Sequence, residues 1–386
     1  MKIIIVPHLP TLYGRRYNIA KTLAMQGDEV HFIVWDMPYP MDLKGIVRHI
    51  LNSWKKQTYV HSGFTVHKIR RLPFFWPVIN GALFKKQIRK IYADNDIQLV
   101  LSQSYTNETE VPKELPLIYD MNDDHAVFAD IYGSYIYKLG FKLLQVKKTI
   151  AAQGSRALLV TYVSSALGEI AHALNDNALF LPNGVDEMAF TEPIKSKNSG
   201  HTQLTYISNF GPWSEIDSVI LAVEQLRTNH PDIVLNIVGN GSEITNAKAM
   251  TKKLHLERHV IFFGHVSDRK KVFDIIDSSD LCLNISEKNA FRDAAFPIKV
   301  VEYSARGKKI ISSNLDEVIA LNLENVFIRS AGSSAVILAN NIEDALNMEF
   351  NEKAISSRIA TEYRWGRIAD RLSVEFSKLK ERGLIQ

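Results

Sequence analysis

A single cysteine, Cys282, stands in this 386-residue chain, which excludes an intramolecular disulfide and suits a reducing compartment. No apolar run approaches the roughly 20 residues of a membrane span. The opening MKIIIVPHLP meets proline too soon for a signal peptide, so a cytoplasmic location is expected. No internal repeat of short period and no low-complexity tract is found. No His, Asp and Glu set has ligand spacing, and neither a metal nor a bound cofactor is expected. Acid is missing locally: from Lys44 through Lys90 there are eleven Lys or Arg and no Asp or Glu, although the whole chain carries only +4.

What is present is an alternation. Short apolar runs (KIIIV, EVHFIV, FTVHKI, LVLS, PLIYD, LLVTYVS) are interleaved with helical patterns such as RRYNIAKTLAMQG. After a break the alternation resumes with QLTYIS, VLNIVG, VIFFG, LCLNIS and KIISS, with helices SVILAVEQLRTNH and RKKVFDIIDSS among them. Such a pattern predicts parallel sheets wrapped by helices. The length predicts two domains. The expected fold is α/β: two Rossmann-like doubly wound domains facing a cleft. Their expected bounds are 1–190 and 202–365, joined by a polar linker over 191–201 (TEPIKSKNSGH). The segment SSRIATEYRWGRIADRLSVEFSKLKERG reads as one long amphipathic helix, with 366–386 expected to pack back on the first domain.

Ligands in doubly wound sheets sit at the carboxyl ends of the strands, so residues there deserve the first look. In FPIKVVEYSARG, Pro297 and Ile298 open a helix that Gly307 ends. Lys299 and Glu302 lie one turn apart near its start, where free N–H groups favour an anion. They suit a nucleotide, lysine on phosphate and carboxylate on ribose; the plainer alternative is a surface ion pair. Gly239 and Gly264 close strands of the same sheet, either for close approach of a ligand or for a tight turn. In the first half, Asp120, Asp123 and Asp124 follow PLIYD as candidate proton acceptors or helix caps. Gly14 and Arg15, with Arg16, open a helix after the first strand, as an anion subsite facing the cleft or a solvated face. RRLPFFWPVINGALFKKQIRKIY interleaves Trp76 and Phe74, Phe75 and Phe84 with Lys85, Lys86, Arg89 and Lys90. That mixture suits the surface of an anionic membrane, while core aromatics are the alternative. No nucleic-acid module accompanies it.

LTYISNFGPWSEID, LNIVGNGSE, VIFFGHVSDRKK and FPIKVVEYSARGKKII resemble, in order and spacing, the donor-binding half of GT-B-fold glycosyltransferases of the glycosyltransferase 4 type. LFLPNGVDEMAF is similar to that family's turn before the linker, and LPLIYDMNDDHAVFAD to a segment of teichuronic acid-type and xanthan glucuronosyltransferase-like enzymes. The resemblance implies an acceptor domain followed by a nucleotide-sugar domain. It implies Glu302 on ribose, Lys299 on diphosphate, and Gly264, His265 and Val266 against the base of a UDP- or GDP-sugar. Ser208 and Asn209 replace the family's Gly-Arg, Ser214 and Glu215 its Glu-Lys-Gly, and Ala294 the first glutamate of its paired motif. Asp123 or Asp124 becomes the candidate base. The implied function is transfer of a sugar to a lipid-linked or glycan acceptor in cell-surface polysaccharide or glycoconjugate assembly, at the inner face of the membrane. The alternatives are a catalytically silent GT-B subunit and a nucleotide-sugar 2-epimerase.

Overall fold

The computed structural model describes residues 1–36, 43–73, 76–191, 200–330 and 332–386. Phe74, Phe75 and 192–199, most of the expected linker, lie outside them. The chain divides into two units, Met1–Asn183 with Trp365–Gln386, and Gly184–Arg364.

The first unit holds eight strands: β1 Lys2–Val6, β2 Glu29–Val34, β3 Gln57–His61, β4 Phe64–Lys68, β5 Leu99–Ser102, β6 Leu117–Met121, β7 Leu159–Tyr162 and β8 Ala178–Phe180. Their order is β3-β4-β2-β1-β5-β6-β7-β8, parallel except for β3. Helices α1 Gly14–Met25, α2 Leu43–Asn52, α3 Pro77–Asp94, α4 His125–Tyr132, α5 Tyr135–Leu143 and α6 Val146–Arg156 connect the strands through β7. Ile3, Ile5, Phe32, Leu99 and Leu101 on the sheet pack with Ile19 and Leu23 of α1 and with Ile368, Leu372 and Phe376 of the C-terminal helix. Burial on both faces explains why these strands read as apolar runs.

The second unit holds β9 Gln203–Ile207, β10 Val234–Val238, β11 Val260–Gly264, β12 Leu281–Asn284, β13 Lys309–Ser313 and β14 Val326–Arg329. The order β11-β10-β9-β12-β13-β14 is parallel throughout and reverses direction between β9 and β12. In the first unit the corresponding reversal lies between β1 and β5. Such switch points leave a crevice at the carboxyl ends of the strands.

Two expectations are corrected. The chain leaves the first unit at Asn183 rather than after residue 190, because Arg306 Nη1 donates to the Ala189 carbonyl at 2.9 Å and holds that segment in the second unit. The final segment forms two helices, Glu352–Glu362 and Trp365–Glu381. Its ladder stops where the Tyr363 carbonyl accepts from Val185 N and Arg364 bridges Val185.

Each unit is bolted by a buried arginine–aspartate pair. In the second, Arg306 Nε and Nη2 reach Asp277 at 2.8 and 2.5 Å. In the first, Arg15 Nε and Nη2 grip Asp120 at 2.9 and 2.8 Å, and Arg15 Nη1 donates to the Pro182 carbonyl at 2.8 Å. Thr161 and Gln103 donate to the same carboxylate at 2.6 and 2.5 Å. Burial alone would push the Asp120 carboxyl up, but Arg15, Thr161 and Gln103 outweigh it and hold it below its ordinary value. Arg15 is therefore a bolt from α1 to β6 rather than an anion subsite, which corrects the expected role. Gly14, at φ 75°, supplies the left-handed turn into α1.

Removing one partner of such a pair leaves an uncompensated buried charge. Asp120→Ala is expected to cost about 3–5 kcal/mol, with Asp120→Asn milder, measured by urea unfolding. The depressed carboxyl makes this stabilisation present above the unfolded value of about 3.9 and lost as pH falls below it. A loss under about 1 kcal/mol for the alanine variant would contradict the bolt.

Candidate functional site

Three loops at the carboxyl edge of the second sheet press together, backbone to backbone. A Cβ on Gly239 would stand 1.8 Å from the Ser208 carbonyl oxygen, and one on Gly241 2.1 Å from that of Phe210. Gly239 N donates to the Gly264 carbonyl at 2.8 Å, and Gly264 takes φ 66°. Gly239 and Gly241 let the loops after β9 and β10 approach one another, and Gly264 supplies the positive-φ turn after β11. His265 is exposed and Val266 half-buried beyond the turn.

The helix Ile298–Ala305 begins at this edge. Pro297 precedes it as its cap residue, with no side-chain cap and no acid in the first turn, so the positive end of the dipole is uncompensated. Ile298, 41% exposed, lies at its first turn. Lys299 Nζ donates to Ser208 Oγ at 3.2 Å and stands 5.9 Å from the centre of the Tyr206 ring. Burial, then the nearby Arg292 guanidinium, pull its pKa from 10.5 down to about 7, against Glu302. Asn209 is exposed beside this contact. Glu302 turns to Arg269, its ion-pair partner across the loop after β11. Lys299 and Glu302 thus take different partners, and the surface ion pair between them is not formed. Ala294, where the resemblance expects a glutamate, is 4% exposed.

In the first unit the three aspartates separate. Asp120 is the buried bolt. Asp124 Oδ1 accepts from Ala126 N and Val127 N at 3.1 and 3.0 Å, which makes it the cap of α4 and corrects its expected role as base. Asp123 is half-buried and accepts from Asn122 Nδ2 at 2.9 Å.

Beside them lies a cluster that sequence reasoning missed. His125 stacks on Tyr105 with ring centres 3.8 Å apart, His8 lies 5.2 Å from His125, and Arg16 Nη1 is 3.3 Å from His8. Burial and then the Arg16 charge bring His8 down to about 3, and burial, His8 and Arg16 depress His125 as well. Arg16 Nε and His125 Nε2 are buried without a partner. The available signal was position: His8 follows β1, Tyr105 follows β5 and His125 follows β6, the three strands flanking and next to the switch.

Several cations of the expected membrane patch carry acid partners. Lys85 pairs with Glu110 and Arg89 with Glu114, each at 2.5 Å, and Arg71 with Glu108. Part of the basic run finds its acid outside its own window, in 108–114 and, for Lys68 and Lys90, at Asp36 and Asp94. Phe84 is core, whereas Lys86 is exposed and Trp76 is 53% exposed. A different surface stands out. On α2 the buried side carries Gly45 and His49, while Leu43, Val47, Ile50 and Leu51, with Trp54 beyond, face outward among Lys44, Lys55 and Lys56.

Residues 188–360 match the family described as Glycosyl transferases group 1. That segment is a group 1 glycosyl transferase domain, and the chain has the GT-B fold of solved glycosyltransferases. It is 25% identical over 286 residues to the N-acetyl-alpha-D-glucosaminyl L-malate synthase of Bacillus anthracis, spanning 71% of this chain and 69% of that one. Among solved structures, Anabaena Alr3699/HepE in complex with UDP superposes with TM-score 0.68 at 16% identity, covering 98% of this chain and 100% of that one. WaaG, a glycosyltransferase involved in lipopolysaccharide biosynthesis, superposes with TM-score 0.64 at 16% identity, covering 96% and 94%. The helix Ile298–Ala305 and the loops after β9, β10 and β11 all fall inside the matched segment.

A lysine held near neutrality opposes folding when empty. With the folded value near 7 and the unfolded value at about 10.4, the cost is full below pH 7 and fades as pH rises toward 10. Lys299→Met is therefore expected to melt above the wild type at pH 7, with the gap closing toward pH 10 by scanning calorimetry. A variant that melts lower at pH 7 would contradict the assigned strain.

Proposed function

We propose that this glycosyltransferase takes its sugar from a nucleotide diphosphate donor held by the second unit. The observation that carries the reading is Lys299, a partly shielded ammonium at the uncapped start of Ile298–Ala305, beside the β9/β12 switch. Negative charge grows on the leaving diphosphate as the glycosidic bond breaks, and Lys299 with the helix dipole meets it. No metal ion is invoked in this reading. Glu302 would turn from Arg269 toward the ribose hydroxyls, and the turn Gly264–His265–Val266 would lie against a base such as that of a UDP- or GDP-sugar. The UDP in the Anabaena structure supports this choice of donor.

Asp123 is the remaining candidate among the three aspartates for the base that accepts the acceptor's proton. The acceptor is lipid-linked or glycan, and the product belongs to cell-surface polysaccharide or glycoconjugate assembly. Peripheral attachment at the cytoplasmic face of a membrane goes with this reading, carried by the outward apolar face of α2 and its lysines rather than by Lys85 and Arg89.

Calorimetry against UDP, GDP, ADP and CMP, followed by transfer assays with the matching sugars, tests the donor. One nucleotide diphosphate should bind, with proton uptake at pH 8 as Lys299 recharges. Lys299→Ala should lower turnover roughly 10²-fold, about 3 kcal/mol of transition-state stabilisation. Near-wild-type turnover in that variant would remove Lys299 from the role.

A further inference from the structure

A cavity of about 550 Å³ opens in the first unit among α4, α5 and α6, apart from the donor residues. Its walls include Ala126 and Ala129 of α4, Phe141 of α5 and Val146 of α6. Ala126 and Ala129 stand one turn apart, where larger apolar side chains would have filled the junction of three helices. The lining is therefore small and apolar at its base.

Its rim has the opposite character. Lys138, Lys142, Lys147 and Lys148 surround the opening, and Asp130 is the acid among the lining residues. Asp130 lies 3.7 Å from Lys147, and its carbonyl accepts from Lys138 Nζ at 2.9 Å, which leaves an excess of positive charge around the mouth. Outward from the rim, α5 exposes Tyr135, Leu139 and Leu143 at successive turns, with Lys138 and Lys142 alongside. An apolar stripe flanked by lysines is the make-up of a helix lying in a membrane interface.

The cavity also connects to the sheet edge. Phe141 stacks on Tyr105, which stacks on His125, the first residue of α4.

We propose that this cavity holds the acceptor, a phosphorylated amphiphile, with its chain on Ala126, Ala129, Phe141 and Val146 and its phosphate on the lysine rim. The inference rests on the lipid-linked reading given above and names the subsite and the headgroup chemistry. The three-part match of apolar floor, cationic mouth and interfacial stripe selects an anionic lipid over a free sugar phosphate, which has no use for the floor. It selects the same lipid over a neutral one, which has no use for the rim.

The test titrates the full chain with farnesyl monophosphate below its micelle-forming concentration, beside farnesol and inorganic phosphate as its two halves. Saturable binding of farnesyl monophosphate is expected, with each half at least roughly tenfold weaker. Ala126→Leu, which fills the floor, should weaken it about tenfold or more, as should Lys142→Glu with Lys148→Glu, a surface pair that leaves the helix junction intact. Equal binding by the lysine double variant, or by inorganic phosphate alone, would overturn the cavity as a lipid-phosphate site. Nucleotide binding is measured on the same samples. Intact nucleotide binding without lipid phosphate binding sinks this inference alone, whereas the reverse pattern sinks the donor reading and leaves the cavity standing.

Discussion

The ammonium of Lys299 sits where the fold resists a positive charge. Its surroundings withdraw water, its neighbour Arg292 repels it, and Ser208 Oγ offers only a hydroxyl in return. The helix beginning one residue earlier adds partial charge of the same sign. Under the proposed reading, a diphosphate lying among them would offset the Arg292 repulsion and turn the helix dipole to its advantage. A site assembled this way is strained when empty and strong when filled, which is the arrangement that stabilises charge developing during bond cleavage.

Such a site needs a frame that does not relax around it. The glycines at 239 and 241 lock the loops after β9 and β10 so closely that no side chain fits between them. Arg306 and Asp277 secure the segment that follows the first unit to the helix Arg269–Ser278, and Arg15 and Asp120 secure α1 to β6. In both units, then, the buried ion pair serves position, and the residues offered to ligands stand on the loops beyond it. The aspartate triad of the first unit shows the division of labour most plainly: one bolt, one helix cap and one carboxylate left half-buried at the edge.

Most of the fold was legible because parallel strands buried on both faces must be apolar runs, and the eleven runs identified from the sequence all lie on strands. The strands missed, β3, β8 and β14, are partly exposed pieces at or near sheet edges that lack that signature. Lys299 and Glu302 were legible through helix periodicity and resemblance, but Arg269 as the partner of Glu302 was not. Charge partners far apart in the chain escape any local window: Arg15 finds Asp120, and Lys85 finds Glu110. The same limit hid the acid partners of Arg71, Lys85 and Arg89, while outward apolar residues stand both at Trp76, Val78 and Ile79 and on α2. His8 and His125 carried no local mark at all, since a lone histidine among apolar residues reads as core; only the strand order brings them together.

Titration of the Lys299 side chain by lysine-selective NMR, with Lys299→Met to assign the signal, addresses the central claim directly. The account predicts a midpoint near 7 in the free chain and a rise of about one unit or more when a nucleotide diphosphate is added. An ordinary lysine midpoint of about 10.4 in the free chain, unmoved by any nucleotide diphosphate, would contradict it.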